Sequence, residues 1–374
     1  MSLFTEDGPL AVNERDAFFM RKALRLAERG RGRTSPNPMV GAVVVDSEGV
    51  IVGRGAHEFA GGPHAEAVAL NEAGDRAAGA SLYCTLEPCT HVGRTGPCAP
   101  LVANAGVSRV VIAAEDPNPI AAGGSTFLRA RGIEVVGGVL AEEALRLNAP
   151  FVTRVRKRRP FVTMKIAISL DGKIAGAGGV RTSLTGVAAN RLVHRERAEI
   201  DAIAVGAGTI LADDPLLTAR GAYRERPFTR IVYDRRLMVK PCARLFSTLR
   251  AGPVIIVSTA RTLQDRAAVA ASLRDAGAEI LALEEHGFVR ASLGVLADRG
   301  ISSMVVEGGA RLHQAFWDAG VVDRVQMYVT THVIGEAGVG WLPGPVLTAA
   351  RITRRAARPV GSDILLEAHV HGAD

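Results

Sequence analysis

Gly61-Gly62-Pro63-His64-Ala65-Glu66-Ala67-Val68-Ala69-Leu70, taken with Pro88-Cys89 and Pro97-Cys98, decides how the first part of this chain folds. The three pieces supply one imidazole, a carboxylate two residues after it, and two thiols. A structural zinc site fills all four tetrahedral positions with protein, whereas a catalytic one uses three and leaves the fourth to water. His64, Cys89 and Cys98 make three, and no further Cys or His stands at a comparable spacing. Pro63 is tolerated in a helix's first turn, so His64 is expected to open a helix through Ala65, Val68, Ala69 and Leu70, with Glu66 on the same turn. Pro97 places Cys98 near a second helix start, where thiol pKa values fall. Residues 80–86 read as a strand ending at Glu87-Pro88-Cys89. Strands alternating with helices over roughly 140 residues imply a layered α/β domain.

The neighbouring sequence agrees. Asn13 reads as an N-cap, with Glu14 and Asp16 in the first turn where the helix dipole favours negative charge. Met20, Ala23, Leu24 and Ala27 follow on one helical face. Residues 40–45 and 50–53, split by a turn at 46–49, read as a hairpin. Residues 107–113 and 133–136 read as strands, with a turn at 116–119 and helices closing at 128–130 and beginning at 141. The run 154–160 (RVRKRRP) is the best boundary in the chain. The expected layout is a domain over 1–150, a basic linker over 151–160 and a second α/β domain over 161–374. In the second domain, glycine at two strand-to-helix turns, Gly206-Ala207-Gly208-Thr209 and Glu307-Gly308-Gly309-Ala310, lets backbone N–H groups approach a phosphate.

Composition narrows the partners. The chain has 374 residues, a net charge of +7 and only 5% aromatic residues. Positive charge suits phosphorylated metabolites as well as nucleic acid, but so few aromatics are thin for stacking single-stranded bases. Three of the four cysteines cluster at 84, 89 and 98, with Cys242 apart. Metal binding in a reducing compartment is a better reading than a disulfide framework. With no signal peptide and no membrane-spanning run in view, the expected location is the cytoplasm.

The chemistry of the zinc motif is hydrolytic. Zinc lowers the pKa of bound water to about 7, and deamination of a ring amidine needs that hydroxide at the amino-bearing carbon. Glu66 is placed to take the water proton and pass it to the leaving amine. Zinc deaminases carry H-x-E followed by P-C-x-x-C; here eight residues separate Cys89 from Cys98. Cys84 reads as a core residue, and His57 as either a pocket group or a surface histidine.

That long gap, with His91-x-Gly93-Arg94-Thr95-x-Pro97-Cys98, resembles the bacterial bifunctional riboflavin-biosynthesis deaminase/reductase family. So do Pro36-Asn37-Pro38-Met39-Val40-Gly41, Thr85-Leu86-Glu87-Pro88-Cys89 and Asp116-Pro117-Asn118-Pro119. Gly96 and Ser125 depart from the family pattern without touching the metal ligands. The reductase half of that family is resembled by Lys165-x-Ala167-x-Ser169-Leu170-Asp171-Gly172-Lys173, by Arg197-x-x-x-Asp201, and by the run from Val205 through Asp213-Asp214-Pro215 to Arg220. Glu307-Gly308-Gly309 completes it.

The resemblance implies an N-terminal cytidine-deaminase-like three-layer domain and a C-terminal dihydrofolate-reductase-like domain. It implies zinc-dependent deamination of 2,5-diamino-6-ribosylamino-4(3H)-pyrimidinone 5′-phosphate, then NADPH-dependent reduction of the ribosyl chain to ribityl. Asn37, His57 and His91 would then be pocket residues for the pyrimidine. Arg197 and Arg220 would clamp the substrate phosphate, with Arg181, Leu217 and Glu307 also contacting substrate. Ala167, Ser183, Thr209, Asp213, Gly309 and Ala310 would hold NADPH. Partners would be small phosphorylated pyrimidines, without nucleic acid or membrane, and the chain would form a dimer or tetramer. Ser183 stands where many members have tryptophan. That departure motivates a competing reading, a deaminase with a degenerate reductase half. Another is a nucleic-acid deaminase with a C-terminal binding module. Arg235, after the Tyr233-Asp234 strand end, is expected to be exposed rather than set against the cofactor's 2′-phosphate.

Overall fold

The computed structural model describes residues 14–91, 96–179, 182–222, 225–341 and 352–370. Asn13, Gly93, Arg94, Thr95 and Arg181 lie outside them. The chain divides into two compact units, Met1–Lys157 and Arg158–Asp374.

In the first unit, α1 (Glu14–Ala27) precedes the antiparallel hairpin of β1 (Gly41–Val45) and β2 (Ile51–Ala56). Then follow α2 (Ala65–Ala73), β3 (Ser81–Leu86), α3 (Cys98–Asn104), β4 (Arg109–Ala114), α4 (Gly124–Arg129) and β5 (Glu134–Val136). Helices α5 (Ala141–Leu147) and α6 (Ala149–Lys157) close it. The sheet order is β2-β1-β3-β4-β5, with β3, β4 and β5 parallel. Alternation of buried and exposed residues is absent from β1, whose residues are all buried, as a strand covered on both faces requires. The segment 151–157, expected as linker, is helical. Phe151 and Thr153 are buried in α6, and Arg154, Arg156 and Lys157 sit in its last turn, where the helix dipole favours cations.

Two glycines fix how α2 is seated. A Cβ on Gly53 would lie 2.1 Å from the Ala69 carbonyl oxygen, and one on Gly55 would lie 1.9 Å from that of Ala65. The backbone of α2 therefore rests directly on β2, which only glycine permits. This contact sets the depth at which His64 and Glu66 enter the interior.

The second unit begins with β6 (Phe161–Ile168), β7 (Lys173–Ala175), α7 (Val187–Glu199), β8 (Ala202–Gly206) and α8 (Ala207–Asp213). Next come β9 (Thr229–Tyr233), β10 (Val254–Thr259), α9 (Ala260–Asp265), α10 (Ala267–Asp275), β11 (Ala278–Leu283) and α11 (Phe288–Asp298). It ends with β12 (Ser303–Val306), α12 (Ala310–Asp318), β13 (Arg324–Val329), β14 (Val339–Gly340), β15 (Thr353–Val360) and β16 (Asp363–His369). Nine strands form one sheet in the order β11-β10-β9-β8-β12-β6-β13-β16-β15, and β14 pairs separately with β7. The sheet is parallel as far as β13, and β16 and β15 run antiparallel.

Successive residues of its strands enter different apolar clusters. Ala202, Ala204, Ile231 and Tyr233 join Phe288, Leu296 and Phe316; Ile203, Val205 and Val232 join Ile210, Leu245 and Leu273. Period-two alternation thus buries both faces. From β8 the chain passes to β9 on one side, and from β12 onward to β13 on the other. The carboxyl ends of β8 and β12 form the switch point at which open α/β sheets bind ligands. Among the described residues no helix is long and apolar enough to cross a membrane.

Replacing Gly55 by alanine should lift α2 off β2 and cost about 1–3 kcal/mol. The check is a lower melting temperature together with less than stoichiometric zinc, while an unchanged transition and full zinc content would contradict the seating argument.

Candidate functional site

The metal-ligand geometry in the first unit comes from three separate segments. His64 is the residue before α2, in extended conformation, and Glu66 is in that helix's first turn. Cys89 follows β3, and Cys98 is the first residue of α3. His64 Nδ1 lies 3.2 Å from Cys98 Sγ and 3.5 Å from Cys89 Sγ. The Cys98 backbone N–H donates to Cys89 Sγ at 3.4 Å. One ligand atom from each residue falls within 4.8 Å of the others, and among the described residues no other group of three His, Cys, Asp or Glu does so.

Both sulfurs are buried, and each alters the other's hold on a proton. A hydrogen bond from the Cys98 thiol, aided by His64, pulls Cys89 down to about 4. The same contact with Cys89 pushes the Cys98 thiol upward. Two adjacent thiolates repel unless a cation lies between them, so the donor set fits a zinc ion in chemistry and in number.

Glu66 is outside that ligand set and is almost wholly buried. Burial raises its carboxyl pKa, against the opposing pull of its own backbone N–H, of His64 and of the Cys98 thiol. Cys84, read as a core residue, is fully buried on β3; burial drives its thiol well up.

His57 is buried, not a surface histidine. Its Nδ1 lies 3.0 Å from the Pro63 carbonyl oxygen and its Nε2 lies 3.3 Å from Asn37 Nδ2. Burial lowers its pKa, so the ring is neutral. The carbonyl only accepts, hence Nδ1 carries the proton and Nε2 accepts from the Asn37 amide. Asn37 Oδ1 is therefore an acceptor turned away from this bond. His91 Nδ1 is buried with no hydrogen-bond partner among the described residues.

Sequence reasoning passed over two supports of this site. Asn148 accepts from the Met39 N–H at 2.7 Å and donates to the Met39 carbonyl at 2.9 Å, pinning the segment that bears Asn37. Glu87 accepts from the backbone N–H groups of Ser125 at 2.8 Å and Asp116 at 3.4 Å, bracing the loop before Cys89. Glu87 stood within the quoted Thr85–Cys89 motif; Asn148 carries no local signal.

In the second unit a cavity of about 260 Å³ opens at the switch point. Thr209, Asp213, Leu217, Arg197, Arg220 and Glu307 line it, as do Lys165, Asp214 and Arg244. Ala167, Ser183, Gly309 and Ala310 are not among the described residues lining it. Ser183 is exposed, Ala167 lies on β6, and Gly309 and Ala310 sit at the start of α12.

Arg197 is partly engaged inside the cavity wall. Its Nε donates to Glu307 Oε1 at 2.8 Å, its Nη2 donates to Glu307 Oε2, and its Nη1 reaches the Thr218 carbonyl at 3.3 Å. Burial alone would push Glu307 up, but the guanidinium beside it and the Lys165 ammonium hold it near 2. The stabilisation from this lowered carboxyl is complete above its ordinary value of 4.5 and is lost as pH falls toward 2. Burial lowers the Lys165 pKa, with Glu307 opposing. Lys165 entered the sequence reading only as part of a motif, because a lysine inside a strand carries no mark of burial. Arg235 is exposed, 3.7 Å from Glu285 and stacked over Phe288, and it is not among the described residues lining the cavity.

Two family descriptions match the chain: "Cytidine and deoxycytidylate deaminase zinc-binding region" over residues 13–114, and "RibD C-terminal domain" over 160–366. The riboflavin biosynthesis protein RibD of Aquifex aeolicus is 39% identical over 359 residues, covering 95% of this chain and 98% of its own. The Escherichia coli protein of that name is 38% identical, covering 96% and 100%. A Thermotoga maritima diaminohydroxyphosphoribosylaminopyrimidine deaminase/5-amino-6-(5-phosphoribosylamino)uracil reductase superposes with a TM-score of 0.85 at 35% identity, covering 96% of this chain and 99% of that one. Acinetobacter baumannii RibD gives 0.85 at 33% identity with the same coverage. Neither a nucleic-acid-binding module nor a degenerate second half is favoured by these matches.

Zinc content separates ligand from core cysteine. Cys98→Ser should lose the metal, while Cys84→Ser should retain one zinc per chain by elemental analysis. Full zinc in the first variant would remove Cys98 from the ligand set.

Proposed function

The chain belongs to the RibD family of bifunctional riboflavin-biosynthesis deaminase/reductases, which use zinc and NADPH, and on that premise we propose how its own residues divide the work. The first unit deaminates 2,5-diamino-6-ribosylamino-4(3H)-pyrimidinone 5′-phosphate at its 2-amino group. His64, Cys89 and Cys98 hold the zinc. The observation that carries this reading is the convergence of those three ligands beside a buried carboxyl that is not one of them.

Bound zinc supplies a water acidic enough to attack at neutral pH. Glu66 accepts the proton of that water and delivers it to the departing amine, and the raised affinity of its carboxyl for a proton suits both halves of the transfer. Asn37, held by His57, offers its carbonyl oxygen to a donor edge of the pyrimidine. His91 brings to the same substrate a ring nitrogen that has no partner among the described residues.

The second unit reduces the ribosyl chain to ribityl. NADPH supplies the hydride that reaches C1′. Opening the ribose ring by the anomeric nitrogen's lone pair gives an N-protonated iminium and an alkoxide at the ring oxygen. Lys165 gives the alkoxide a proton, and the hydride at the iminium carbon leaves a neutral secondary amine. Glu307 keeps Lys165 and Arg197 in place as their counter-charge, and Glu307 with Leu217 forms the substrate wall. Thr209, Asp213, Ala167, Ser183, Gly309 and Ala310 take the cofactor, whose phosphates suit the glycine turns at the ends of β8 and β12. Arg181 joins the substrate contacts.

The protein is cytoplasmic, where reduced thiols persist. It assembles as a homo-oligomer, a reading supported by Ile364 and Leu366, which β16 leaves exposed.

Glu66→Gln tests the first half. The variant should keep stoichiometric zinc and lose deamination by about 100-fold or more, while still oxidising NADPH when given the deaminated intermediate. Zinc loss in this variant would make Glu66 a ligand and overturn its role.

A further inference from the structure

The charge around the second cavity leaves one cation with no assigned task. Arg197 has given its Nε and Nη2 edge to Glu307 and its Nη1 to the Thr218 carbonyl. Arg220 and Arg244 both line the cavity, both are exposed, and neither forms an ion pair with a described residue. We propose that Arg244 is a phosphate-binding residue of the reductase, acting with Arg220. This rests on the reductase reading above and names the group that recognises the phosphate.

The surrounding structure holds Arg244 at the cavity wall. Arg244 opens the 3₁₀ segment Arg244–Ala251, and its backbone N–H donates to Asp214 Oδ1 at 2.8 Å. That bond occupies one oxygen of an acidic neighbour that would otherwise compete for the guanidinium. Beneath the segment lies Arg230, which is wholly buried. Its Nη1 donates to the Leu245 carbonyl and to Thr248 Oγ1, each at 2.7 Å, and reaches the Leu216 carbonyl at 3.3 Å. Its Nη2 donates to the carbonyls of Thr248 at 3.0 Å and Gly252 at 2.5 Å.

One buried guanidinium thus ties the segment bearing Arg244 to the wall bearing Leu216. That wall needs tying. Asp214 and Leu217 have φ of 40° and 51°, a left-handed conformation that costs non-glycine residues energy and persists where surroundings enforce it. Two planar guanidinium forks on one cavity wall suit recognition of a phosphomonoester dianion.

Two ligands of this reaction carry such a group, the 5′-phosphate of the pyrimidine and the 2′-phosphate of NADPH. The full-length, zinc-loaded Arg244→Gln protein distinguishes them. Loss of a charge-assisted contact should raise one KM by about tenfold or more with kcat nearly unchanged, and Arg244→Lys should restore part of it. A rise confined to the deaminated pyrimidine assigns the 5′-phosphate. A rise confined to NADPH, with preference over NADH reduced, assigns the cofactor. If neither KM moves, or if only kcat falls, Arg244 does not bind phosphate. Deamination by the same sample reports that the chain is folded. Wild-type protein that fails to oxidise NADPH would instead sink the reductase reading itself.

Discussion

Crowding two thiols against an imidazole in a buried pocket is unfavourable without a cation, and the first unit is built to enforce that crowding. His64, Cys89 and Cys98 arrive from a helix entrance, a strand end and a helix start. Their approach depends on the glycines of β2, which let α2 sit on the sheet, and on Glu87, which gathers the loop around Cys89. Glu66 enters on the same helix as His64 but stays outside the ligand set. Its burial then sets its proton affinity. Architecture and acid–base chemistry are two results of one seating contact.

The second unit solves the opposite electrostatic problem. Lys165, Arg197, Arg220 and Arg244 face Asp213, Asp214 and Glu307 around one cavity. Glu307 is engaged with Arg197, while Arg220 and Arg244 line the same cavity without an ion pair to a described residue. A buried Arg–carboxylate pair is weak evidence for net stability, but here it holds two cations in a desolvated place. One unit concentrates negative charge to hold a metal; the other keeps positive charge available for phosphates.

Much of this was legible in the sequence. The convergence of His64, Cys89 and Cys98 near Glu66 and the alternation of strands and helices were carried by residue type, spacing and period, all local properties. What was hidden is of two kinds. Strand β15 escaped because seven of its eight residues are exposed, so no apolar alternation marks it. The run 151–157 looked like a solvated linker because its arginines outweigh Phe151, yet that phenylalanine anchors a helix. Pairings were hidden more deeply. Nothing near Arg197 signals that Glu307, far away in sequence, will occupy its guanidinium, and nothing near Arg244 marks the cavity it faces.

The most direct measurement of the central claim follows both products in one reaction. Purified wild-type protein, zinc and NADPH are supplied with the phosphorylated diaminopyrimidine, and ammonia release and NADPH oxidation are recorded together. The account predicts equal final amounts of ammonia and oxidised cofactor, with ammonia appearing first and a ribityl product. Ammonia release without NADPH oxidation would contradict a competent second site, and NADPH oxidation without ammonia would contradict the assigned order.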